Sequence, residues 1–95
     1  MPLHRPILLP RRLNAALVAA STLFEVEPAA LLGRGRTRVT AHARQFAWAA
    51  LYTACDTSHE ELGRAFDRHH TTVMYGVDRV TREARRDPDA RAAME

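Results

Sequence analysis

Apolar side chains recur at intervals of three and four residues through most of this 95-residue chain. That spacing confines it to helices that each bury one face. From Arg12 the repeat runs Leu13, Ala16, Leu17, Ala20 and then Leu23 or Phe24, until Glu27-Pro28 interrupts it. Pro28 suits a first helical position, Ala29-Ala30-Leu31-Leu32 makes a short helix, and Gly33 stops it. Thr40 is expected to cap a central helix reaching about Thr53, with Ala43, Phe46, Ala47, Ala50 and Leu51 (or Ala54) facing inward. Asp56-Thr57 breaks that helix, and Ser58-His59-Glu60-Glu61 has the form of a capping box. It opens a short helix with Leu62, Ala65 and Phe66 inside, and Asp67-Arg68 makes the next turn. A final long helix is expected from about His69 to Arg85, burying Val73, Val77, Val80 and Ala84. Valine, isoleucine and the aromatics are too scattered for a sheet. The expected fold is therefore all-α, a small helical bundle.

A chain of this length has room for one modest core. The reading is a loose arm over 1–11, one helical domain over 12–86, and a short helix or tail over 87–95, where Asp87-Pro88 has a cap-then-proline form. Prolines at 2, 6 and 10 bracket Ile7-Leu8-Leu9, which is too short for a signal-peptide core. No apolar run approaches the ~20 residues of a membrane span. Cys55 stands alone, which excludes a disulfide framework and a thiolate metal cluster and makes a reducing cytoplasm the default setting. The stripe Leu13, Leu17, Leu23 reads as core for a small bundle before it reads as a dimer surface, so a monomer or weak dimer is expected.

All 14 basic side chains are arginine. A GC-rich genome accounts for such a bias, but it also makes every cationic contact a planar fork suited to phosphate and guanine. The net charge of +3 is mild, and its distribution says more. No acid occurs between Glu27 and Asp56, while Arg34, Arg36, Arg38, His42 and Arg44 all fall there. Acids gather at Glu60, Glu61 and from Glu83 onward. An arginine stretch of this kind inside a balanced chain is the footprint of a polyanion partner.

The helices on either side of Asp67-Arg68 have helix-turn-helix proportions. Opposite the valine stripe of the second lie Arg68, Thr71, Thr72, Tyr75, Arg79 and Arg82, with Asp78 the one acid among them. The start of that helix, Arg68-His69-His70-Thr71-Thr72, is dense in donors and acceptors. Such a face suits base edges in a major groove, where arginine reads guanine and a threonine methyl packs on thymine.

From about Leu13 to Arg85 the chain resembles the C-terminal, origin-box-binding domain of the bacterial replication initiator DnaA. The matching residues are Leu31-Leu32, Arg36-Thr37-Arg38, Ala43-Arg44-Gln45-Phe46-Ala47, Glu61-Leu62-Gly63-Arg64-Ala65-Phe66 and Arg68-His69-His70-Thr71-Thr72-Val73. The resemblance implies a helix-turn-helix fold of the kind also found in the Trp repressor, with double-stranded DNA as the partner. It also implies roles. Arg36, flanked by Arg34 and Arg38, would enter the minor groove. Arg44, Gln45 and Arg79 would grip phosphates, and backbone N–H groups at Ser58 would meet another. Arg68, His69, His70, Thr71 and Thr72, with Tyr75 beyond them, would read the major groove.

Departures from the family pattern matter. The family has two glycines before the arginine of the turn, where this chain has Asp67 alone, and an aspartate where this chain has His69. An ionised carboxylate only accepts hydrogen bonds, whereas neutral histidine donates or accepts, so a different preferred sequence is expected. No glycine-rich Gly-Lys-Ser/Thr loop occurs, so ATP-driven assembly is not expected of these residues alone.

No enzyme chemistry, cofactor or metal is expected. His59, His69 and His70 lack a cysteine or carboxylate to complete a zinc set, and Cys55 lacks an orienting partner for a nucleophile pair. Trp48 reads as packing. The expected function is transcription regulation at a specific duplex site, for example activation of prophage-like or gene-transfer-agent genes, with RNA polymerase or a separate protein as a further partner. The alternatives are an accessory or competitor at replication origins and, in another class, a protein-interaction adaptor.

Overall fold

The computed structural model describes residues 8–35 and 37–86. Among these the chain forms five helices: α1 (Pro10–Phe24), α2 (Pro28–Leu32), α3 (Arg38–Ala54), α4 (His59–Phe66) and α5 (His70–Arg86). The all-α expectation holds. Helix α3 is the centre of the bundle, packed against α1 on one side and α5 on the other, while α4 lies across α5.

That central position buries α3 on more than the one stripe its periodicity predicts. Phe46, Ala47 and Leu51 are buried as expected, but so are Thr40, Arg44, Trp48 and Ala49, and Ala50 is only half-buried. Trp48 packs its ring edge-on against Phe66, with centroids 5.8 Å apart and an interplanar angle of 90°. Leu17 and Ala20 bring α1 into the same core, whereas Leu23 is 53% exposed and takes no part in it.

Several boundaries differ from expectation for identifiable reasons. Thr37, not Thr40, caps α3, because its hydroxyl accepts from the Thr40 N–H at 3.2 Å. Thr40 lies within the first turn and is buried. Helix α1 begins at Pro10, a residue whose missing N–H costs nothing at a first helical position. Leu8, expected in a loose arm, packs against the core, and its N–H donates to Glu61 Oε2 at 2.8 Å. That contact changes the capping box. Ser58 Oγ accepts from the Glu61 N–H at 3.0 Å as expected, but the Glu61 carboxylate reaches for Leu8. The expectations for residues 1–7, Arg36 and 87–95, including the last short helix, lie outside the described residues.

Two glycines permit the close approaches on which the bundle depends. A Cβ on Gly63 would stand 2.5 Å from the Arg68 carbonyl oxygen, so only glycine lets the turn fold back onto α4. A Cβ on Gly76 would stand 2.7 Å from Trp48 Cε3 and 2.9 Å from Gln45 Cγ, so α5 lies flush on α3.

Candidate nucleic-acid interface

The turn between α4 and α5 is short because Asp67 does a glycine's work. It sits in the left-handed region, φ 55° and ψ 52°, which aspartate tolerates better than most residues. The Arg68 N–H then closes onto the Gly63 carbonyl at 2.8 Å. One left-handed residue is enough to reverse the chain here. The turn aims the start of α5 outward.

At that start, His69 carries the cap. Its carbonyl accepts from the Thr72 and Val73 N–H groups at 3.0 and 3.3 Å, and its ring Nδ1 accepts from the Thr71 N–H at 3.2 Å. Thr71, Thr72 and Tyr75 are exposed, Tyr75 to 74%, while Val73, Gly76, Val77 and Val80 turn into the core. His70 is half-buried, its ring against that of His69 with centroids 4.4 Å apart. The helix thus presents imidazole, hydroxyl and phenol groups to solvent in its first two turns. Farther along, Arg79 is shared between Glu83 Oε2 (3.4 Å) and Gln45 Oε1 (3.5 Å), and Arg82 pairs with Asp78 at 2.9 Å. Ser58 is half-buried at the start of α4, with its hydroxyl engaged by Glu61.

The segment between α2 and α3 lies beside this turn and is fastened to it. Arg68 Nη2 donates to the Gly33 carbonyl at 2.7 Å, while Nη1 donates to the Phe66 and Asp67 carbonyls at 2.9 and 3.3 Å. Arg34 reaches Asp67 Oδ2 at 2.6 Å in an exposed pair. Arg34 and Arg38 are both exposed. Arg38 and Arg64 have no ion pair among the described residues, so positive charge runs from the loop across the turn.

Arg44 departs most from its expected role. It is 5% exposed, its Nε donates to the Leu31 carbonyl at 2.7 Å, and its Nη2 reaches the carbonyls of Ala30, Gly33 and Gly35 at 3.1, 3.3 and 3.4 Å. A five-residue helix ends with unpaired carbonyls, and a guanidinium fork satisfies several at once. Burial, and then the neighbouring Arg68 guanidinium, lower the Arg44 pKa from its usual value, yet arginine remains charged at physiological pH. On α3, Arg44 shares a face with Thr40, Trp48 and Leu51, all of them buried. Arg64 belongs to the matching residues of α4 but has no DNA-contact role among those the resemblance implies. It is exposed on α4 and lines one shallow groove with Arg68, His69 and His70.

The arrangement is a helix-turn-helix with an arginine loop bound to its turn. Residues 14–80 match the family described as "Bacterial dnaA protein helix-turn-helix". The chain belongs to that family. It is 35% identical over 72 residues to the chromosomal replication initiator protein DnaA of Deinococcus deserti, an overlap covering 76% of this chain and 16% of that protein. The chain thus spans only a small part of the relative's length. The family is DNA-binding, and the geometry above is that of a DnaA-type helix-turn-helix. No described helix is long and apolar enough to cross a membrane, and no three potential metal ligands cluster among the described residues.

Proposed function

We propose that this DnaA-type domain binds a specific duplex DNA site with α5 in the major groove and the 33–38 loop toward the adjacent minor groove. The observation that carries the reading is the fastening of that loop to the turn by Arg68 and Asp67, beside the exposed His69, Thr71, Thr72 and Tyr75. His69, His70, Thr71, Thr72 and Tyr75 read base edges, and Arg36 with Arg34 and Arg38 reads the minor groove. Gln45, Arg79 and backbone N–H groups near Ser58 meet phosphates. Arg44 and Arg68 act behind this surface, holding the loop.

What these residues can do on DNA is occupy a site, and we assign that occupancy to transcription regulation in the nucleoid, as a monomer or weak dimer, with RNA polymerase or another protein as the responding partner. A gene cluster of prophage or gene-transfer-agent type is a fitting setting. The relative's name favours a second reading, occupancy of sites at a replication origin.

Selection from random duplexes tests the binding reading. The expected result is one enriched motif whose affinity falls steeply as salt rises, because several phosphates are neutralised. Binding that ignores salt and sequence would instead leave a protein-interaction adaptor. Mapping the motif in the genome then separates promoters from an origin.

A further inference from the structure

The ring of His69 makes two contacts through the same nitrogen. Nδ1 accepts from the Thr71 N–H at 3.2 Å and lies 2.8 Å from Thr71 Oγ1. A backbone N–H only donates, so Nδ1 is the unprotonated nitrogen. The hydroxyl at 2.8 Å must then be the donor of the second contact. In a neutral imidazole the ring proton therefore sits on Nε2. Both side chains are exposed at the start of α5, and the His70 ring, tilted by 32° with its centroid 4.4 Å away, limits how freely His69 turns.

Each group is left with one role toward a ligand. His69 offers a donor, Nε2–H. Thr71, with its proton committed to Nδ1, offers lone pairs and a methyl. We infer that His69 and Thr71 form a specificity pair that reads a base-edge acceptor together with a neighbouring donor. Adenine is the base that presents both in the major groove, N7 as acceptor and the N6 amine as donor. Guanine sets an acceptor against the Thr71 lone pairs, and cytosine offers no acceptor to His69. This inference rests on the proposed docking of α5 and specifies which chemistry it reads.

Side chains that keep the cap but change the outward edge make the test. In His69→Asn, Oδ1 takes the Thr71 N–H and the amide NH2 remains an outward donor. In His69→Asp the cap is kept and the outward edge becomes an acceptor. The tautomer is read first, on the free chain, by 15N chemical shifts of the ring at mildly alkaline pH. The expected pattern is protonated Nε2 and bare Nδ1; the opposite tautomer overturns the inference before any DNA is added. Random-duplex selection follows. Wild type and His69→Asn are expected to enrich adenine at the same position, and His69→Asp to shift that position toward cytosine by about tenfold, the discrimination typical of one good base contact. An unchanged motif in His69→Asp overturns the inference while leaving specific DNA binding intact. Loss of any motif in wild type overturns both.

Discussion

The arginine loop and the start of α5 lie side by side but are built in opposite ways. The start of α5 holds itself: His69 caps its own helix through its carbonyl and its ring, within four residues of sequence. The loop is held from outside. Its carbonyls, and those of α2 before it, are gathered by Arg44 from α3 and by Arg68 from the turn. A reading helix with a local cap is robust to changes elsewhere, whereas a loop shaped by distant guanidinium groups inherits any disturbance of α3 or the turn. Two arginines that look like nucleic-acid contacts in sequence are therefore parts of the frame.

The largest expected effect is on that frame. Arg44→Ala leaves the buried Leu31 carbonyl without its donor and releases the part-buried carbonyls of Ala30, Gly33 and Gly35 from the same guanidinium, and should lower stability by about 2–4 kcal/mol in denaturant unfolding. Arg44→Lys should recover only part of it, because an ammonium lacks the planar fork. Wild-type stability with a uniform loss of DNA affinity would return Arg44 to the phosphate-gripping role the sequence suggested.

Gly63→Ala should cost about 2–3 kcal/mol, because the added Cβ meets the Arg68 backbone oxygen, which cannot rotate aside. Gly76→Ala presses on the Trp48 ring and Gln45 and should cost about 1–2 kcal/mol, read as a lower midpoint at unchanged m. Equal or smaller effects than at an exposed alanine would show that the turn and the α3–α5 seam are looser than described.

Arg68→Ala unfastens the loop and should cost about 1 kcal/mol of stability. Its effect on DNA affinity should overlap with that of Arg36→Ala, so a double-mutant cycle shows coupling. Additive losses, with Arg68→Ala erasing preference at a single guanine, would make Arg68 a base reader. The smallest effect belongs to Asp67→Asn. It removes an exposed ion pair while keeping a residue that tolerates positive φ, and should change stability by less than about 0.5 kcal/mol.

The sequence carried much of this. Helical periodicity located the longer helices, and the Pro28, Gly33 and Ser58 signals placed α2 and the start of α4 where local chemistry decides them. It misplaced the cap of α3, because Thr37 and Thr40 are both good caps and burial of Thr40 decides between them. The face of α5 could be read from the valine stripe alone, since helical geometry fixes what lies opposite. Arg44 and Arg68 could not be placed the same way. Whether an arginine turns outward to phosphate or inward to carbonyls depends on where another segment ends, here α2 at Leu32, and no local pattern encodes that. Glu61 is similar: a capping box fixed its position, but the partner of its carboxylate arrives from Leu8, 53 residues away.

If the exposed start of α5 reads sequence as proposed, the Thr71→Ala/Thr72→Ala double variant shows it most directly. Both threonines are exposed and bury no core surface, so the fold should survive. Affinity for the selected duplex and for a scrambled one is measured across a salt series. The expected result is that the preference between the two duplexes vanishes while the scrambled-site affinity and its salt slope stay near wild type. Full preference retained in the double variant would contradict it.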